Sequence, residues 1–343
     1  MTVFATLEDP GLSETFLRLL ADGDEYGAVG VVTGLLDGGV PPQRVLIDLI
    51  SDALTRVGDR WVAAEWSVAD EHAASAICEL AVAAVAARTP VRAHRGRIVV
   101  TCVDDEWHAL PVRILAEMLR LDGWRTDFLG ACMPRRHLIA RLRETKPDVV
   151  ALSCTLPTRL PGAHATITAC RLAGFPVIAG GRGFGPDDVV ARRLGADAWA
   201  ADAVRAVTTL RANCPQPIDQ PHASAGYLGS PEYTLVVRLR DDLIAEALRR
   251  LAVAYPPMGT YDQHQAEATA EDMETIVDFL TAALYVGDER VFTGFVDWAA
   301  RVLEARGVPR QALTIGLQLY RDQLGDFPMS LAVMDSGLAR LGR

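Results

Sequence analysis

No uninterrupted apolar stretch of this chain is long enough to cross a bilayer, although half of its 343 residues are hydrophobic. A membrane-embedded protein is therefore not expected. The opening residues, Met1 to Pro10, carry neither a basic flank nor an apolar signal core, so secretion is not expected and a cytoplasmic protein is. The six cysteines (Cys78, Cys102, Cys132, Cys154, Cys170 and Cys214) show no CxxC spacing and mostly sit in apolar surroundings. They read as reduced thiols packed as small hydrophobes. A basic tract is missing too: the arginines are spread through helical segments and the formal charge is −10, which argues against a nucleic-acid partner. There is no internal repeat and no low-complexity segment.

The length fits two or three domains. Residues 1–92 read as a four-helix bundle without strand signals, with helices expected over 14–21, 25–37, 43–57 and 68–87. Residues 93–214 alternate strand and helix. The strand candidates 97–103, 125–129, 149–153, 176–179 and 198–200 are continuous apolar runs, as in a parallel sheet covered on both faces. Helices are expected over 112–121, 135–144, 163–173 and 187–194. This is the pattern of a doubly wound, Rossmann-like α/β domain, whose ligands bind beyond the carboxyl ends of the strands. Residues 215–230 are rich in Pro, Gly, Ser and His without a period and read as a linker. Residues 231–343 are all-helical, with helices over 233–254, 267–286, 289–306 and 310–324 and a shorter one near the end. The fold class is thus α/β plus all-α.

The densest chemistry follows the first strand. Asp104-Asp105-Glu106 makes an acidic turn, then Trp107 and His108 precede a helix opening near Pro111. An imidazole on such a loop can bind a metal, and an acid two residues upstream can hold its other ring nitrogen and fix the tautomer. One histidine is too few for a zinc or iron site, so a metal here must bring its other ligands, as the cobalt of a corrin does. Ser153-Cys154-Thr155 ends the third strand, and Gly180-Gly181 ends the fourth. The hydroxyls could bond a buried heterocycle, and the glycines would let a flat group approach the backbone. Gly180 to Gly185 could instead cradle phosphate, but it follows a late strand, so a dinucleotide fingerprint is weak.

These three signals resemble the base-off, histidine-on cobalamin-binding module. The resemblance implies that His108 is the lower cobalt ligand and Glu106 its orienting acid, with Trp107 beside them. It implies that Ser153 and Thr155 contact the dimethylbenzimidazole tail and that Gly180 and Gly181 make room for it. Pro111 departs from the family, which has glycine there. Upstream, Trp61, nine further residues and then Glu71-His72 resemble the Trp-x9-Glu-His cap of cobalamin-dependent photoreceptors. There the bundle encloses the 5′-deoxyadenosyl group, which implies that Trp61 packs on that group and that Glu71 and His72 line its cavity. Val62 stands where the transcriptional photoreceptors carry a second histidine. His72 is the first candidate to replace the lost group, and water or hydroxide is the alternative. A DNA-reading domain before the bundle is not expected.

The run Tyr285 to Phe292, with Trp298 and Arg306-Gly307-Val308-Pro309, resembles the globin-like C-terminal domain of photocobilins, which pair a cobalamin domain with a biliverdin-binding one. Tyr255, Tyr261, His264, Tyr285 and Arg238 are the candidate bilin contacts. Without a cysteine after Cys214 a thioether link within that domain is excluded, so a bilin would be held non-covalently; a heme on His264 is the other possibility. The expected function is a light sensor without catalytic turnover. It would bind adenosylcobalamin and biliverdin, signalling through a light-dependent homo-oligomer or a partner protein. The competing expectation is a corrinoid protein of a methyltransferase system.

Overall fold

The structure is a computed structural model that describes residues 7–9, 11–216 and 228–342. The chain opens with helices α1 (Leu12–Ala21), α2 (Glu25–Asp37), α3 (Pro42–Arg44), α4 (Asp52–Val62) and α5 (Val68–Arg88). Local sequence sets their ends. The Asp24 carboxylate accepts the Gly27 N–H to start α2. Ser67 and Asp70 form a reciprocal capping box at the start of α5, worth about 1 kcal/mol. The expected helix 43–57 instead continues to Val62, through a π-helical segment, Val45–Ser51, between α3 and α4. Gly58 does not stop it, because a glycine costs only about 1 kcal/mol in a helix and the bundle packs the remainder. That extension carries Trp61 to the last turn of α4.

The sheet consists of β1 (Gly96–Cys102), β2 (Trp124–Gly130), β3 (Val149–Ser153), β4 (Val177–Gly180) and β5 (Ala198–Ala200), all parallel, in the order β2-β1-β3-β4-β5. Its crossovers run through α6 (Ala109–Leu121), α7 (Arg135–Thr145), α8 (Leu160–Leu172) and α9 (Val189–Arg193). The expected elements stop at Ala200, but α10 (Ala203–Ala212) follows, capped by Asp202, whose side chain accepts the Arg205 N–H at 2.7 Å. Strand order reverses between β1 and β3, so the crevice of this doubly wound sheet opens beyond Cys102 and Ser153.

After residue 228 come α11 (Pro231–Ala254), α12 (Gln263–Val286), α13 (Arg290–Ala305), α14 (Arg310–Gln323) and α15 (Pro328–Leu341). Most of the expected linker, residues 217–227, lies outside the described residues. The expected helix 267–286 begins four residues earlier, because Asp262 and Gln265 cap it reciprocally.

Three apolar cores hold these elements. One joins the bundle, α6, α10 and one face of the sheet through residues such as Val82, Leu119 and Val100. A second lies on the other face with α7, α8 and α9, and takes in Tyr285 and Val286 of α12. The third is internal to α11–α15 around Phe292, Leu317 and Tyr320. Each buried Val, Leu or Phe side chain contributes about 1.5–3 kcal/mol. Among the described residues no helix is long and apolar enough to cross a membrane.

Candidate functional site

His108 is the residue just before α6, on the loop that follows the carboxyl end of β1. Its Nδ1 stands 2.5 Å from Glu106 Oε1, and the same oxygen accepts the His108 backbone N–H at 3.1 Å. The other oxygen, Oε2, accepts the backbone N–H groups of Thr155 at 2.7 Å and Leu156 at 3.0 Å. Glu106 is fully buried. Burial alone would raise its carboxyl, but the bonds from His108 and from the three backbone N–H groups outweigh it and bring the pKa down to about 2. A buried carboxylate facing Nδ1 makes that nitrogen the donor. Nε2 therefore keeps its lone pair and has no hydrogen-bond partner among the described residues. The imidazole side chain is 40% exposed, so this lone pair is accessible.

Glu106 also ties the loops together. Its carboxylate joins the loop after β1 to the loop after β3, and its carbonyl accepts the Cys132 N–H at 2.9 Å from the loop after β2. Asp105 just before it and Cys132 both take left-handed backbone, at φ 60° and 49°. The sequence signalled the acid–histidine pair; the bracing of the third strand's loop by the same acid depends on tertiary pairing and was not legible.

Ser153 ends β3 in register with Cys102 of β1 and Gly180 of β4. Ser153 is a buried residue; neither its hydroxyl nor that of Thr155 makes a hydrogen bond among the described residues. Gly181 sits at φ 98°, and a Cβ there would lie 2.4 Å from the Cys154 carbonyl oxygen; a Cβ on Gly180 would lie 2.7 Å from the Ala200 oxygen. Both glycines therefore serve close approach of backbone to backbone between neighbouring strand ends. Trp107 is 71% exposed and meets His108 edge-on at 6.2 Å.

On the bundle, Glu71 Oε2 lies 2.8 Å from His72 Nδ1, and Glu71 Oε1 accepts the Ser75 hydroxyl at 3.0 Å. His72 Nδ1 also reaches the Val68 carbonyl at 2.9 Å, and the ring is exposed on α5. Trp61 stacks on Trp298 of α13, with ring centroids 6.0 Å apart and planes 21° from parallel. Arg306 lies over the same indole at 4.7 Å.

The five candidate bilin contacts do not converge. Tyr255 and Tyr261 lie in the connection between α11 and α12, and His264 in the first turn of α12. Arg238 is exposed on α11, seventeen residues before Tyr255, a rise of roughly 25 Å. Tyr285 is at the far end of α12, buried, with its hydroxyl 2.7 Å from His164 Nδ1 of α8. That tyrosine belongs to the seam with the sheet layer. A cavity of about 620 Å³ opens at the opposite, amino end of the strands, lined by residues including His94, Arg95 and Trp124; none of the sequence-predicted site residues lines it.

Among the described residues no three His, Cys, Asp or Glu side chains gather into a metal cage, so a metal at His108 would find no second and third protein ligand among them. A lone imidazole with its tautomer fixed, beside unpartnered hydroxyls at the switch point, fits a metal that carries its own equatorial ligands. The fold and site thus define a corrinoid-binding protein. The comparisons agree. The B12 binding domain family matches residues 96–208, and a second B12 binding domain family matches residues 12–86. Dimethylamine corrinoid protein 3 of Methanosarcina mazei is 30% identical over 117 residues, 33% of this chain and 69% of that protein. The HTH-type transcriptional repressor CarH of Myxococcus xanthus is 28% identical over 169 residues, 48% of this chain and 56% of the repressor's own length. The monomethylamine corrinoid protein of Methanosarcina barkeri shares the fold, with a TM-score of 0.52 at 17% identity, covering 58% of this chain and 96% of that one. The chain belongs to the B12-binding family of corrinoid proteins. The family matches end at residue 208, ahead of α11–α15, and do not show a globin likeness there.

Proposed function

We propose that the chain is a light sensor that binds adenosylcobalamin base-off and histidine-on, without catalytic turnover. Residues 1–92 act as the cap, 93–214 bind the cofactor, 215–230 link, and 231–343 receive the signal. The observation that carries the cobalamin part is the Glu106 brace, which leaves His108 Nε2 as an accessible lone pair beside the unpartnered Ser153 and Thr155 hydroxyls. What points to a sensor is the cap: Trp61, followed at the photoreceptor spacing by Glu71 and His72, is in contact with a further helical body.

When bound, the cofactor supplies a cobalt–carbon bond weak enough for visible light to break. The residues of the chain do the rest. His108 would hold the cobalt, and Ser153, Thr155, Gly180 and Gly181 would surround the nucleotide tail. Trp61, Glu71 and His72 would enclose the adenosyl group, and Trp107 would shield the rim. Loss of that group would change what Trp61 packs against, and a packing change at an interface is how a local event becomes a domain movement. Biliverdin is the proposed second chromophore, held without a covalent bond at the α11–α12 connection, near Tyr255, Tyr261 and His264; Tyr285 and Arg238 are too distant to share that end.

The test is reconstitution with adenosylcobalamin in the dark, then green light. A spectral change accompanied by a change in oligomeric state or domain arrangement is expected. A spectral change alone, with methyl transfer to a thiol by a partner enzyme, would establish the other reading, a methyltransferase corrinoid protein, which the likeness to the dimethylamine corrinoid protein favours. Purification with biliverdin should give red absorption; without it, α11–α15 form an interaction module.

A further inference from the structure

Trp61 is held from outside the bundle. Arg306, at the end of α13, places its guanidinium over the Trp61 ring and donates to the Trp61 carbonyl at 3.1 Å and, more weakly, to the Val62 carbonyl at 3.5 Å. These are the last residues of α4, where the Trp61 carbonyl also accepts the Ala64 N–H at 3.1 Å, so Arg306 adds a side-chain donor to the helix end. A cation there both caps the helix and complements its dipole. Trp298 stacks on the same indole. Behind it, Phe295 lies 6.2 Å from Trp298 and 4.2 Å from Phe279, stacked at 13°, and 6.1 Å from Phe292. A run of aromatic rings thus connects Trp61 to the core of α11–α15.

The two sides of that helical body differ in kind. Toward the sheet layer it is fixed by Tyr285 and Val286, buried in the sheet-side core with Tyr285 against His164, and at the rim by Arg193 on the Val286 and Gly287 carbonyls and the exposed pair Arg290–Asp187 at 2.7 Å. Toward the bundle it meets α4 through Trp298, which is 36% exposed, and an exposed Arg306. One side anchors the body on the sheet domain; the other is thin and solvent-touched, the kind of contact that opens at small cost.

We infer that Trp298 and Arg306 are positioning residues: from the C-terminal helices they set where Trp61 stands, and so set the preference of the cap for a bulky adenosyl upper ligand over water or hydroxide. This rests on the cobalamin reading above and extends it by naming the residues that transmit it. A side chain already held in its working position loses less freedom when it packs on a ligand, so prepositioning favours the ligand that Trp61 touches and is neutral toward one it does not. By linkage the effect is reciprocal: whatever moves Trp61 also shifts the docking of α13.

The experiment titrates the full chain in the dark with adenosylcobalamin and, separately, hydroxocobalamin, in wild type, Arg306→Gln and Trp298→Leu. Both positions are solvent-touched, and unchanged helical circular dichroism confirms folding. Adenosylcobalamin affinity is expected to fall by about fivefold in each variant, the scale of one aromatic pair or one cation–π contact. Hydroxocobalamin affinity should stay the same. Amide exchange around residues 58–64 and 302–308 should respond together to adenosylcobalamin in wild type and separately in Arg306→Gln. Equal losses for both cobalamins, or no loss, overturn the positioning role and leave the cofactor site standing. If wild type binds neither cobalamin, the cofactor reading falls and this inference with it. Because the titrations are run in the dark, the result is independent of any response to light.

Discussion

Replacing Glu106 by glutamine keeps the shape of the side chain and removes its charge, and the structure fixes what must follow. Each carboxylate oxygen faces two donors: Oε1 faces His108 N and Nδ1, and Oε2 faces Thr155 N and Leu156 N. A glutamine can offer only one oxygen. If its NH₂ faces the Oε2 side, two backbone N–H groups that have no alternative are left unmade in a buried place, each costing about 1–3 kcal/mol. If it faces the Oε1 side, only the His108 N–H is orphaned, and the imidazole can answer the new donor by moving its proton from Nδ1 to Nε2. The second arrangement is the cheaper one, and it blocks the nitrogen that should bind cobalt. Glu106→Gln is therefore expected to lose about 1–3 kcal/mol in urea unfolding. It should bind hydroxocobalamin about 10–100-fold more weakly, the usual effect of losing the group that orients a metal-bound histidine. Absorption spectra of the loaded protein, and paramagnetic resonance spectra after one-electron chemical reduction to the Co(II) form, report whether imidazole nitrogen is on cobalt. Wild-type affinity with the imidazole signature intact in Glu106→Gln would falsify the brace.

Gly181→Ala forces a Cβ to 2.4 Å from the Cys154 carbonyl at φ 98°, so it should destabilise the chain by at least about 2 kcal/mol; unchanged urea unfolding would mean the loop after β4 relaxes freely. Tyr285→Phe removes the hydroxyl that His164 Nδ1 meets at 2.7 Å and should cost about 1–2 kcal/mol, with faster amide exchange at the ends of α8 and α12. Hydrogen bonding to Arg290 lowers the carboxyl pKa of Asp187 and Asp288 below the usual aspartate range. Their stabilisation of the seam is therefore complete above the unfolded value of about 3.9 and is lost as pH falls through the lower folded values. Proteolytic sensitivity of the seam should rise in that acid window and stay flat between pH 5 and about 8; the same loss at neutral pH would contradict this sign.

The sheet was legible because each strand is a continuous apolar run bounded by turns, and a parallel sheet needs little more than that signal. Boundaries shifted where caps decided them: Asp202 started a helix that apolar periodicity did not announce, and Asp262 with Gln265 moved α12 forward. In the site, Glu106 and His108 were readable as a pair because both belong to one loop, whose local chemistry is written in consecutive residues. The hold of Glu106 on Thr155 and Leu156 spans half a hundred positions and exists only once β1 and β3 pair.

The C-terminal helices show the opposite case. Residue types suited to a bilin were present, but type alone does not say which end of a long helix a side chain occupies. Tyr261 and Tyr285 lie near opposite ends of α12, which rises about 1.5 Å per residue, so a list of aromatics becomes two separate places. Tyr285 then finds its partner in His164, and Trp298 finds Trp61, both in other parts of the chain. The aromatics that looked like walls for a second chromophore thus divide between one loop and two seams. One seam fixes the helical body to the sheet; the other rests on Trp61, the tryptophan proposed to pack on the adenosyl group. A body fixed on one side and in light contact on the other can register the position of a single side chain, which is the property a receiver of the cap's movement requires.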